Sequence, residues 1–355
     1  MMESPREFHY RLPGRVGGQR PGSHPGSSMG AGQEFVAHRS LYDYPDPRRL
    51  DLRASVRTLQ EGWLVRVNRQ RAGTAVRALV DVSASMSFGA TRPKLHVVAD
   101  FVEALGLSAF RVGDALGMMA FDSAERAELF MPARVSRGMG SLMGAALREW
   151  GTVRLADADV ADAASAANAA RAADAARAAN AARVAAAARA ANAARIADAA
   201  RAAAAVHEIQ PPSTQGSIAA ASRARRGDGI QEAAARLAGQ QGLVFLISDF
   251  HWPLESLNVA LDLMAHATVI PIVVWDPAET EPPKPNALAA LSDMESNGRR
   301  TLWLRPKLRD DWRHAVARRR AEIDHFCNAR SLRPFYMVGR FDADSLSRYF
   351  FEVEV

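Results

Sequence analysis

The run Ala78-Leu79-Val80-Asp81-Val82-Ser83-Ala84-Ser85 joins an apolar strand pattern to one carboxylate and two hydroxyls at alternate positions. These groups suit a hard divalent cation. Magnesium takes oxygen donors and keeps part of its water shell, so one carboxylate, two neutral hydroxyls and several waters hold it with a coordination position open. Asp and Ser also cap helices and make turns where a strand runs into a helix, so the surrounding elements decide between the two readings.

Those elements form a regular series. Leu95 to Phe110 has helix periodicity, and Val112 to Asp122 reads as a turn and a second buried strand. Leu243 to Phe250 is another apolar strand that ends in an aspartate, Asp249, and Thr268 to Trp275 is a further one. Strands alternating with helices predict an α/β fold, a doubly wound and mostly parallel sheet with helices on both faces. In open sheets of this kind ligands sit beyond the carboxyl ends of the strands, so Asp81 and Asp249 are expected to face one crevice. Trp63 to Val67 predicts a strand leading toward the first, Gly229 to Leu237 a helix, and Thr301 to Leu304 a strand. Trp312 to Arg330 predicts a basic helix and Phe335 to Val338 a last strand.

This series resembles the von Willebrand A domain, whose metal-ion-dependent adhesion site combines Asp-x-Ser-x-Ser, a Thr on a second loop and an Asp on a third. Asp81, Ser83 and Ser85 match the first element and Asp249 the third. Gly138-Met139-Gly140-Ser141-Leu142 occupies the place of the usual Gly-Gly-Thr loop, with Ser141 where Thr is expected. A second resemblance lies upstream, in Gly30 to Arg39 and Asp46 to Ser55, which are similar to the lead-in of the bacterial family called domain of unknown function fifty-eight. Where that family has Asp-Trp this chain has Asp51-Leu52, so the packing role of the Trp does not carry over.

The resemblance implies a Mg2+ or Mn2+ site formed by Asp81, Ser83, Ser85, Ser141 and Asp249. It also implies a MoxR-type AAA+ ATPase as partner and a client protein that offers an Asp or Glu to the metal. Soluble members of methanol-oxidation operons, of the MxaS kind, are similar in layout, which points to methanol dehydrogenase as a client. The expected organisation is an arm over 1–33, a lead-in over 34–75 and the first part of the von Willebrand A-like domain over 76–155. An alanine/arginine-rich insertion over 156–228, the second part of the domain over 229–276 and an extension over 277–355 that completes or flanks the sheet follow.

Composition is compatible with this layout. A chain of 355 residues, 48% hydrophobic, can bury a sizeable core. Its single cysteine, Cys327, excludes an internal disulfide and suits a reducing compartment. The sequence has no charged-then-apolar leader and no apolar run of about twenty residues, so the expectation is a soluble, cytoplasmic protein without a membrane partner. A net charge of +6, with Arg318-Arg319-Arg320, invites a nucleic-acid reading. The basic residues are not organised around aromatic stacking positions or a reader motif, so nucleic acid is not expected as a partner. Nearly all of them are arginine; the lysines are Lys94, Lys284 and Lys307.

Residues 1–33 are rich in Gly, Pro, Arg and Ser, which predicts a loosely ordered arm. Between Ala156 and Val206, arginines recur every six residues from Arg171 to Arg201. Alanine favours helix, but a six-residue step does not hold one face of a 3.6-residue helix, so no seam forms. The segment is expected to be a solvated, partly helical or disordered insertion. No Gly-x-x-x-x-Gly-Lys-Ser/Thr loop and no His-Glu-x-x-His helix occurs, so the chain lacks a P-loop phosphate cradle of its own. His251, near Asp249, reads as polar surface. The expectation is a metal-dependent interaction adaptor that is not an enzyme; the alternative is a metal-assisted hydrolase using the same cation.

Overall fold

The computed structural model describes residues 7–154 and 228–352, apart from 13, 15, 16, 18, 19, 31, 59–61, 283–287, 294–297 and 304. The alanine-rich insertion lies outside the described residues up to position 227. Three strands, β1 (Pro21–Gly30), β2 (Glu34–Ser40) and β3 (Leu64–Ala72), form an antiparallel sheet in the order β1-β3-β2. The central sheet has six strands: β4 (Ala75–Asp81), β5 (Ala115–Phe121), β6 (Met131–Arg134), β7 (Gly242–Ser248), β8 (Ala267–Trp275) and β11 (Phe335–Val338). β9 (Leu288–Asp293) and β10 (Gly298–Trp303) make a separate hairpin.

The central order is β11-β8-β7-β4-β5-β6, with every neighbour parallel except β6 against β5. The chain builds outward from β4 on one side, then returns to build β7, β8 and β11 on the other. The reversal lies between β4 and β7, the position where open α/β sheets form a crevice. β5 is buried at every residue and β7 at all but its first, because helices cover both faces. That explains why these strands read as continuous apolar runs without alternation.

Helix α2 (Lys94–Val112), the helix over 139–154 (α3) and α8 (Ala343–Glu352) pack on one face around Phe101, Leu105, Met143, Leu147 and Phe350. Helices α4 (Asp228–Ala235), α5 (Ser256–Leu263) and α7 (Pro306–Asn328) pack on the other, around Ile230, Leu257, Ile323 and Cys327. Short helices α1 (Leu52–Arg57) and α6 (Pro277–Thr280) serve the lead-in and the crevice respectively. Among the described residues no helix is long and apolar enough to cross a membrane.

The expected arm is a correction to the sequence reading. Phe8 and Tyr10 are buried in the core, where Phe8 stacks on Phe101 and Phe350, and Pro21–Gly30 is a strand on the edge of β3. Tyr10 Oη donates to Asp114 Oδ2 at 2.6 Å, His24 Nε2 pairs with the same oxygen at 2.8 Å, and the Thr74 N–H donates to Asp114 Oδ1. Burial, reinforced by Asp114, pushes the Tyr10 phenol well above its ordinary value, so it remains a donor. Two aromatic anchors are too few to produce periodicity, and the Pro and Gly residues are accommodated by register shifts along an edge. Phe8→Ala should therefore lower unfolding free energy by roughly 3 kcal/mol or more, measured by urea denaturation; a change below about 1 kcal/mol would return this segment to a loose arm.

Candidate functional site

Val80 of β4 is level with Ile247 of β7, which brings Asp81 beside Ser248 where the two strands end. Ser248 Oγ donates to Asp81 Oδ2 at 2.6 Å, and Trp252 Nε1 donates to the same oxygen at 3.1 Å. The Ser83 N–H donates to Asp81 Oδ1 at 2.9 Å, so the chain folds back over the carboxylate and brings the Ser83 and Ser85 hydroxyls within 3.2 Å of each other. Asp81 and Asp249 have no exposed surface and Ser83 very little; Ser85 is the donor nearest to solvent.

Asp249 has a different set of partners. Lys94, the first residue of α2, is itself buried and donates from Nζ to Asp249 Oδ2 and to Glu279 Oε1, both at 2.8 Å. The His251 N–H reaches Asp249 Oδ1 at 3.2 Å, and Ser85 also hydrogen-bonds to this carboxylate. Glu279 is held by the cap of α6, where its Oε2 accepts the Asp276 N–H at 3.0 Å.

The two aspartates are driven apart electrostatically. Burial, then the charge of Asp249, raises Asp81 to about 6, against hydrogen bonds from Ser248 and Ser83. Burial also opposes ionisation of Asp249, but Lys94, then His251 and the hydrogen bonds from Lys94 and Ser85, outweigh it and hold its carboxyl far below the usual range. For Lys94, burial alone favours the neutral amine; Asp249 and Glu279 overcome that and raise it.

The loop after Asp249 is strained and braced. Phe250 has φ of 52°, a left-handed conformation that a bulky residue adopts only when its surroundings enforce it. Arg319 of α7 supplies the brace, donating from Nε to the Phe250 carbonyl at 3.0 Å and from Nη2 to both the Phe250 and the Trp252 carbonyls. Trp275 Nε1 donates to the Asp249 carbonyl at 3.0 Å. Of the basic triplet in the sequence, Arg319 thus faces inward and Arg320 lies 4.3 Å over the Tyr336 ring.

Ser141 is not brought to the other four. A Cβ on Gly106 would lie 2.4 Å from the Gly140 Cα, so these glycines are the point of closest approach between α2 and α3. Gly106 follows Lys94 by twelve positions, about 18 Å along the helix axis, and Ser141 is exposed at that far end. α3 then runs toward the crevice, where Gly151 packs against Leu95.

The family described as "Protein of unknown function DUF58" matches residues 42–190 and 146–322, which together span more than half of the chain. The chain belongs to the DUF58 family. Its solved structural neighbours include the conserved hypothetical protein BatB from Bacteroides thetaiotaomicron, 11% identical, with a TM-score of 0.34 over 79% of this chain and 97% of that one. Another is an aerotolerance-related membrane protein from Bacteroides fragilis NCTC 9343, 12% identical, with a TM-score of 0.34 over 79% and 98%. At those values they assign no function to this chain. No curated protein matches it.

In this DUF58 chain the lead-in is organised by Asp51, which caps α1 through the Ala54 N–H and pairs with Arg66 at 2.7 Å and His38 at 3.1 Å. Leu52, beside it, is exposed. Asp122 is engaged by Arg126 and Arg154, and His251 lies over Trp275 with its ring half exposed. Gly26-Ser27-Ser28-Met29-Gly30 has the spacing of a hydrolase elbow, yet it forms part of β1 with Ser28 exposed and no helix following.

Sequence reasoning missed Lys94, Ser248, Trp252 and Glu279. One signal was available for the first: in a chain whose other described basic residues are almost all arginine, a lysine stands at the start of the helix that follows Ser85. Among the described residues no three His, Cys, Asp or Glu gather as a metal group; beside Asp81 the further oxygen donors are the Ser83 and Ser85 hydroxyls. The donors do fit a hard cation. All are oxygens, and while Asp249 and Glu279 share the Lys94 ammonium, Asp81 has only uncharged donors among the described residues.

The raised Asp81 gives a pH prediction for the protein in chelator. Between the unfolded value of 3.8 and the folded value of about 6 the folded state binds the extra proton, so Asp81 makes stability fall as pH rises through that window. The stability of wild type minus that of Asp81→Asn should drop by on the order of 2 to 3 kcal/mol from pH 4 to pH 7. Thermal melts across the range measure it, and a difference independent of pH would remove the electrostatic assignment.

Proposed function

We propose that the crevice between β4 and β7 binds Mg2+ or Mn2+ and that the chain is a metal-dependent interaction adaptor of von Willebrand A-like architecture. The observation that carries this is the pair of buried carboxylates at the ends of adjacent strands: Asp249 is neutralised by Lys94, whereas Asp81 receives only uncharged donors among the described residues. A buried carboxylate without a cation is costly, and Asp81 is held well above its ordinary value for that reason.

Asp81, Ser83, Ser85 and Asp249 are the residues that would hold the cation, with the crevice reached from the Ser85 side. A bound cation supplies an electrophile that a partner's Asp or Glu can ligate. Ser248 and Trp252 orient the Asp81 carboxylate, and Arg319 fixes the loop that presents Asp249. Lacking a P-loop, the chain suits a task in which the energy comes from a separate protein. With the family resemblance, this supports a MoxR-type AAA+ ATPase as partner and assembly or activation of a client, with methanol dehydrogenase the client to test first.

Two measurements check the reading. Titration calorimetry should show Mg2+ or Mn2+ binding by wild type, its loss in Asp81→Ala and no change in Ser141→Ala; equal affinity in wild type and Asp81→Ala would sink it. The complex with the MoxR-type ATPase from the same host should weaken with chelator and with Asp81→Ala or Asp249→Ala. An ATPase that binds all three proteins equally, with and without chelator, would rule out a metal-bridged contact.

A further inference from the structure

We propose that Lys94 and Glu279 tune this site: the buried ammonium weakens the grip on the cation and thereby keeps it open to a partner carboxylate, while Glu279 opposes that effect. The inference rests on the metal reading above. Lys94 is 1% exposed and cannot touch a partner, so its influence on binding is through charge.

Its placement argues against a role in stabilising its own helix. Lys94 is the first residue of α2, where the helix dipole presents its positive end and favours acidic side chains. The chain nonetheless buries an ammonium there and spans from the start of α2 to the loop after β7 and the cap after β8. Arginine, used almost everywhere else in the described chain, carries a planar fork that does not condense to a point between two carboxylates; a lysine ammonium does.

The charge count gives opposite signs for the two residues. For the two strand-end aspartates and the ion pairs of Lys94 taken together, Asp81, Asp249 and Glu279 against one ammonium leave an excess of two negative charges, which a divalent cation balances. His251, half exposed and 3.9 Å from Glu279, is common to wild type and every variant compared below. Without Lys94 the excess is three: the cation binds more tightly, and the surplus anion repels an arriving carboxylate. Without the Glu279 charge the excess is one, and the cation binds more weakly. Removing both restores two. A purely structural ion pair has no reason to give that order, because each single change would loosen the same loops.

The experiment is Mn2+ titration of wild type, Lys94→Met, Glu279→Gln and the double variant at low ionic strength, followed by the electron paramagnetic resonance of free Mn2+. Lys94→Met should bind at least about tenfold more tightly and Glu279→Gln at least about tenfold more weakly, with the double variant within about threefold of wild type. On the Mn2+-loaded proteins, acetate should lower water-proton relaxation at a smaller concentration in wild type than in Lys94→Met. Should Lys94→Met fail to fold, Glu279→Gln and the double variant still decide: equal affinity in wild type and both overturns the proposal. Weaker Mn2+ binding in both single variants makes Lys94 and Glu279 structural only and leaves the metal reading standing. No Mn2+ binding by any of the four proteins removes the metal reading, and this inference with it.

Discussion

The architecture of the crevice depends on one internal ion pair. Ionising an aspartate with no exposed surface is costly without a cation beside it, and Lys94 is that cation for Asp249. Because the ammonium also takes Glu279, a single side chain ties together the start of α2, the loop after β7 and the short helix after β8. Breaking a buried pair by removing one partner strands a charge, which is why such pairs fix geometry even where they add little net stability. Ser85 and the His251 N–H hydrogen-bond to the carboxylate that this pair holds, while Arg319 fixes the Phe250 and Trp252 carbonyls beside it.

Asp81 and Asp249 illustrate how two identical groups acquire different states a short way apart. One is surrounded by a hydroxyl, an indole N–H and a backbone N–H, the other by an ammonium. Uncharged donors soften burial without cancelling it, so Asp81 sits near 6 while Asp249 is driven down. Environments that push paired titratable groups apart in this way are characteristic of sites that act on charge. The strained Phe250 backbone beside them, braced by Arg319 on a helix about seventy residues downstream in sequence, belongs to the same arrangement.

The sheet was legible because its strands are buried on both faces and spelled as unbroken apolar runs: β7 and β8 lie within a residue or two of their sequence-read bounds, and β5 falls inside the turn-and-strand run over 112–122. The loop residues Asp81 and Asp249 were legible because the fold class dictates where strand ends meet. Ser141 misled because glycine has two uses. Gly140 looks like part of a ligand loop, whereas it permits two helix backbones to touch. Lys94 and Glu279 were illegible as a pair, being 185 positions apart with only the tertiary fold to join them. Phe8 and Tyr10 escaped notice because their glycine- and proline-rich surroundings carry no period, although their partners Phe101 and Asp114 lie in well-marked elements.

The docking of that first segment has a consequence for the order of folding. The His9 N–H donates to Ser347 Oγ across 338 positions, and Phe8 stacks against Phe350 of α8. Phe8 and His9 therefore find part of their packing only after the chain has been made through α8. Contacts of such sequence separation close late and slow folding. Until they close, the face of the central sheet under α2 and α8 lacks its aromatic seal, and during synthesis this face is the one that needs protection from other chains.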